Sequence, residues 1–214
     1  MLWEIDLHPR AGLPDREGQN VAADITALGL GKNVSVAAAS GYLVQGAELS
    51  RERIERLAAE LFADTVSEVA TIAQVGDPRL NTPPPSAFRL PPSALIQVLL
   101  KPGVMDPVAQ SAEAAIRDFG FSADAVRTLR KYWLSGATEA EVRAISQELL
   151  ANDAIEQVVA GPLPFDRLQA GGEYRFELRT TPIRHLDDAG LMRLSKEGQL
   201  YLQPAEMQTI KREF

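Results

Sequence analysis

The sequence contains no cysteine and only two histidines, His8 and His185. The first absence excludes disulfides, thiolate metal sites, iron–sulfur clusters and a cysteine nucleophile. The second leaves no material for a His-rich metal cage. Bases are also scarce: 22 Lys+Arg stand against 29 Asp+Glu, for a formal net charge of −7 and a pI near 5.0. Nucleic-acid binding rests on clustered Lys and Arg against phosphate, so no nucleic-acid partner is expected. Long hydrophobic runs are missing too. The longest uncharged stretch, Asn33 to Ala47, is too short to span a bilayer and includes Ser, Gly and Gln. Met1 to Asp6 carries acids where a secretory leader needs a basic start. A cytoplasmic chain with no membrane partner is the expectation.

Catalytic and phosphate-binding signatures are absent as well. Gly41 to Gly46 has the spacing of a phosphate cradle, but Ala47 follows where Lys is needed. Gly29-x-Gly31 lacks the third glycine of a dinucleotide fingerprint, and no Gly-x-Ser-x-Gly elbow occurs. Asp187-Asp188 precedes a helical pattern, where carboxylates cap and favour the helix dipole. His8 and His185 read as surface or satisfied polar residues. No catalytic, metal or cofactor-binding residue is therefore expected on the chain.

What is present is the composition of a globular protein, 45% hydrophobic and 24% charged, arranged as an internal repeat. Ile5-Asp6-Leu7-His8-Pro9 matches Val98-Leu99-Leu100-Lys101-Pro102, and Leu28-Gly29-Leu30 matches Phe119-Gly120-Phe121. Tyr42 and Gly46 match Tyr132 and Gly136, and Asp64 to Val69 matches Asp153 to Val158. The offsets are 93, 91, 90 and 89 residues. Between the copies, Asp77 to Ala94 holds six of the fourteen prolines, which predicts an extended, semi-rigid spacer.

Each copy reads as strand–helix–strand–helix–strand. Trp3, Ile5 and Leu7 alternate with acids as in a half-buried strand. Val21, Ile25 and Leu28 share a helical face that ends at Gly29, suited to a left-handed cap. Ser50 precedes Ile54, Leu57, Ala58, Leu61 and Phe62 at helical spacing. In the second copy Asp106-Pro107 opens a helix, and Thr138 with Glu141 forms a capping box for another. Further strands are predicted near 34–44, 66–72, 95–100, 126–134 and 155–159. Beyond Gly161 the pattern predicts an extra strand over Glu173 to Arg179 and two short helices.

Five residues at the strand ends draw notice. Tyr42 and Tyr132 carry amphipathic rings beside glycine turns, a placement that is usually structural. Arg130 and Lys131 read as a solvated pair with some capacity for an anion. Trp133 suits either an interface anchor or core packing.

Val98 to Pro107, with its Lys101-Pro102-Gly103-Val104 and Asp106-Pro107, followed by Gly120, Lys131-Tyr132 and Gly136, resembles the small PurS subunit of phosphoribosylformylglycinamidine synthase. The first copy is a more distant match, keeping Pro9, Gly12, Gly29, Tyr42 and Gly46 but with His8 for the Lys and no Asp-Pro. Pro182 to Leu191, Leu194 to Gly198, Leu202, Glu206-Met207 and Ile210 are similar to the linker of the large PurL synthetase.

The resemblance implies an α+β fold: two tandem β-α-β-α-β sandwich repeats forming a pseudo-dimer, with a C-terminal strand and short helices. The implied organisation is repeat 1 over 1–76, a Pro-rich linker over 77–94, repeat 2 over 95–161, and an extra strand with the start of a synthetase-type linker over 162–214. It further implies the N-terminal part of a large PurL-type synthetase, with a stand-alone double PurS as the other possibility.

In that family the holoenzyme is an ATP- and glutamine-dependent ligase of purine biosynthesis. Its PurS-type portion carries no catalytic group, bridges the PurL-type synthetase body and the PurQ-type glutaminase, and supports ammonia transfer. ATP and glutamine would then be used by the holoenzyme and not by this chain. The expected interface candidates are Tyr42, Lys101, Arg130, Lys131, Tyr132 and Trp133, with a homo-oligomer possible. The alternative function is a small-molecule-sensing regulatory module built from duplicated α/β repeats.

Overall fold

A computed structural model describes residues 1–84, 92–168, 180–198 and 200–213. It divides into two compact units, Met1–Gly172 and Glu173–Phe214. The strand expected over 173–179 lies outside the described residues, as do residues 85–91 of the proline-rich stretch.

The first unit is a mixed α+β structure built on a single six-stranded antiparallel sheet. Its strands are β1 (Leu2–Pro9), β2 (Ser35–Gln45), β3 (Glu68–Gln74), β4 (Ala94–Leu100), β5 (Ala125–Ser135) and β6 (Glu156–Ala160). They lie in the order β3-β1-β2-β5-β4-β6. Each half thus places its first strand between its other two, and the halves join where β2 meets β5. Along this seam Ser35 faces Ser135 and Gln45 faces Ala125, so residues 90 apart exchange roles about the Ser40–Arg130 pair.

Helices α1 (Arg16–Ala27), α2 (Arg51–Leu57), α3 (Pro107–Asp118) and α4 (Glu139–Ile145) cover one face. Their caps follow from the sequence. Ser50 accepts from the Arg53 amide, and Thr138 and Glu141 satisfy each other's backbone in a full capping box. Gly29 (φ +71°) and Gly120 (φ +81°) end α1 and α3 in the left-handed region that favours glycine, and each is followed by an amide bonded five residues back. Helices α2 and α4 both widen into a π-type turn, at Ala58–Phe62 and Ser146–Leu150.

The backbone corrects one detail of the sequence alignment. Pro9 and Pro102 suggested an offset of 93 at the first strand. The hydrogen bonds put the offset at 91. The Arg10 amide donates to Ser67 O at 2.8 Å and the Lys101 amide to Ile155 O at 2.9 Å. Asp15 caps α1 through Gly18 N and also accepts from Ala38 N; Asp106 caps α3 through Ala109 N and also accepts from Thr128 N. At equivalent backbone positions the first half has Arg10 where the second has Lys101, and Asp15 without a following proline where the second has Asp106-Pro107.

Under the helices lie two cores, and each draws on both halves. One packs β1 residues Trp3, Ile5 and Leu7 and α2 residues Ile54 and Leu57 against Ala112 and Ile116 of α3. The other packs Val21 and Ile25 of α1 against Ile96, Val98, Tyr132, Leu134 and α4 residue Ile145.

The opposite face of the sheet is also buried. Leu2, Leu43, Leu99 and Leu129 pack with Leu163 from the segment after β6. Pro78–Asn81 forms a 3₁₀ turn whose Leu80 is buried, so the start of the expected spacer is folded onto the protein. With both faces covered, β1 is buried at nearly every position, not half-buried as its alternation suggested.

The second unit contains α5 (Asp188–Glu197) and α6 (Pro204–Glu213). Asp187 caps α5 through the Gly190 amide at 2.8 Å. Ser195 Oγ accepts from the Leu202 amide at 2.8 Å, and Leu191 and Met207 are buried.

Candidate functional site

The residues singled out from sequence converge on the β2–β5 seam, but on its two different faces. Successive residues of β5 point to opposite sides, so Arg130 and Tyr132 face the helices while Lys131 and Trp133 face away.

On the helix face, Arg130 Nη2 donates to Glu156 Oε1 at 2.6 Å and to Leu150 O at 3.2 Å. Tyr132 is buried, and its hydroxyl donates to Glu17 Oε1 at 3.1 Å. Burial, more than the neighbouring charges, pushes its phenol up to about 12. Tyr42, at the matching position of the first half, stacks on Phe62 with ring centroids 4.4 Å apart. Its phenol is also raised, chiefly by burial and then by Glu68 and Asp106. Lys101 stands apart from the seam and donates to Asp153 O, as Arg10 donates to Thr65 O.

Two cavities flank Arg130. One, of about 620 Å³, lies among Leu7, Pro14, Glu17, Ser40 and Tyr132. The other, of about 330 Å³, lies among the corresponding Val98, Asp106, Val108 and Tyr42.

On the far face, Lys131 is not the solvated base expected from sequence. It is 1% exposed, and its Nζ donates to Glu4 Oε1, to Asp6 Oδ2 at 2.6 Å and to Leu80 O at 2.7 Å. Trp133 is fully buried beside it and donates Nε1–H to Asn81 O at 3.0 Å. Small residues make the room: Ala37, Ala39 and Gly41 on β2 lie beneath these side chains. A Cβ on Gly41 would stand 2.9 Å from Ile5 O and 3.1 Å from Asp6 Oδ1. Lys131, Tyr132 and Trp133 are thus buried and make their hydrogen bonds inside the chain.

The sequence pattern passed over Glu4, Asp6 and His8. All three are buried, and two carboxylates share one ammonium. Burial outweighs Lys131 and pushes the Asp6 carboxyl up to about 8. His8, expected at the surface or satisfied, is buried with Nδ1 unpartnered, 5.6 Å from the Trp133 ring, and burial lowers it to about 4. The signal that could have found this cluster is the Ala-x-Ala-x-Gly run on β2, which leaves space on one face of a strand for long partners opposite.

Among the described residues, no three His, Cys, Asp or Glu side chains are grouped to hold a metal ion, and no helix is long and apolar enough to cross a membrane. No curated protein matches the chain. Residues 93–160, which run from the start of β4 to the end of β6, match the family model described as PurS: Phosphoribosylformylglycinamidine (FGAM) synthase. The second half of the sheet is thus the part of the chain that is similar to PurS.

Proposed function

We propose that the chain is a non-catalytic assembly part of FGAM synthase, made of two PurS-type repeats over 1–76 and 95–161, that bridges a PurL-type synthetase and a PurQ-type glutaminase and supports ammonia transfer between them. The single observation that carries this reading is the family match over 93–160, taken with the seam that reproduces its strand order in the preceding half. The two halves share caps, strand order and register, which supports duplication. Residues 182–210 are proposed as the start of a synthetase-type linker, and ATP and glutamine as ligands of the holoenzyme. A cytoplasmic location accompanies this role.

Reconstitution tests it. Added to a synthetase lacking this region and to the glutaminase, the chain should restore glutamine-dependent product formation and leave ammonia-dependent formation unchanged. A folded chain without effect on the glutamine-dependent rate would count against the role.

The cavity of about 620 Å³ at the seam favours a second reading, in which the duplicated halves sense a small molecule. Thermal shifts with glutamine, nucleotides and amino acids separate the two, since a ligand at 100 times its Kd stabilises by about 2.7 kcal/mol.

A further inference from the structure

We propose that the groove between the segment after β6 and the far face of the second half binds a small organic anion: one acidic group on an apolar body. The proposal does not depend on the assembly role. The groove encloses about 250 Å³. Its walls are apolar, from Leu99 of β4, Val159 of β6, and Phe165 and Leu168 of the segment that crosses above.

That segment is fastened at both ends. Gln97 Nε2 donates to Gly161 O at 2.8 Å, and the Leu168 amide donates to Gln45 Oε1 at 2.7 Å. Between them Leu163 is buried in the leucine cluster of the sheet. The walls are thus set before any ligand arrives, and little ordering cost falls on binding.

Charge selects the ligand class. Two arginines, Arg127 and Arg167, line the groove, and among the described residues no acidic side chain does. Asp124 and Asp166 line the adjoining cavity on the other side of Arg167. Most other described arginines of the unit are engaged, Arg51 with Glu55 and Arg130 with Glu156 for example, Arg16 being an exception. Among the described residues, no hydrogen bond or ion pair engages Arg127 or Arg167.

In a chain of net charge −7, an acid-free concavity with two uncommitted guanidinium groups favours an anion. Their planar forks match carboxylate, sulfonate or phosphate oxygens. The volume suits one or two fused rings or a short acyl chain, below the size of most ligand pockets. The site belongs to the second half alone. The position matching Arg127 is Ala37, which packs against Trp133.

The test is an NMR titration of the full chain with 2-naphthoate, with 2-naphthol and inorganic phosphate as parallel arms. Saturable shifts confined to the amides of Leu100, Thr128, Gln157 and Leu168 are expected. Affinity should fall about tenfold for 2-naphthol and about tenfold in Arg127→Gln and Arg167→Gln. Phosphate alone should bind more weakly than 2-naphthoate, for want of the apolar walls. Phe165→Ala, which leaves both arginines in place, should also weaken 2-naphthoate. Shifts scattered over the protein, equal affinity for 2-naphthol, unchanged affinity in both arginine variants, or no saturation by about 5 mM would each overturn the proposal.

Discussion

Lys131 of the second half and Asp6 of the first meet 2.6 Å apart beneath the sheet, where both side chains are buried. Glu4 shares the same ammonium, and Leu80, from the turn after β3, closes the site with its carbonyl. The positions matching Glu4 and Asp6 in β4 are Leu95 and Gln97, and the position matching Lys131 in β2 is Gly41. The ion cluster therefore breaks the two-fold pattern of the seam and gives the halves a fixed, unequal pairing.

Removing Lys131 leaves two buried acidic side chains without the ammonium that they share. Lys131→Met should cost about 3–5 kcal/mol in urea unfolding, whereas Lys131→Met combined with Glu4→Gln and Asp6→Asn should recover most of that loss. Equal loss in the single and triple variants would show that the packing of the lysine stem, and not the stranded charge, sets the cost.

The pH dependence has two opposed parts. Asp6 is raised from 3.8 to about 8, so the folded state holds its proton more tightly and this contribution to stability is lost as pH rises from about 4 to 8. His8 is lowered from 6.5 to about 4, so the folded state resists its protonation and stability is lost as pH falls through that window. The two offset each other below pH 6.5. Between pH 6.5 and 8 only Asp6 acts, and stability should fall by at most about 2 kcal/mol. Thermal unfolding across this range reads it. Asp6→Asn should flatten the slope, and a wild-type profile already flat would contradict a protonated Asp6.

Tyr132 fills the second helix-side core, and its hydroxyl reaches Glu17. Tyr132→Ala should cost about 3–5 kcal/mol, and Tyr132→Phe about 1 kcal/mol for the lost hydrogen bond. Chemical denaturation measures both. An alanine variant of unchanged stability would place the ring outside the core.

Neither half can complete a helix-side core alone, because α1 packs on α4 and α3 on α2. A fragment of residues 1–84 leaves Val21 and Ile25 without Ile96, Tyr132 and Ile145. It should be unfolded or self-associated by light scattering and near-ultraviolet circular dichroism. A native-like monomer of this fragment would contradict the shared cores.

Local signals carried much of this fold. The Thr138–Glu141 box, the Asp106 cap and Gly29 lie within one turn of the helix ends that they define, so neighbouring residues are enough to read them. The β1 alternation was legible as a strand but not as one buried on both sides. Glu4 and Asp6 look like a solvent face until Lys131, more than 120 residues away, and the Leu80 turn cover them. The misplaced Pro9–Pro102 match has a similar origin. Residue identity suggested one offset, while backbone hydrogen bonds to β3 and β6 fixed another. The seam residues were found, but which face each occupies came only from the register of β2 on β5.

Association with the two enzymatic portions tests the proposed assembly role most directly. In sedimentation velocity, the full chain mixed with a synthetase lacking this region and with the glutaminase should move with one or both in a larger species. A well-folded chain that sediments alone in the presence of each would contradict the role.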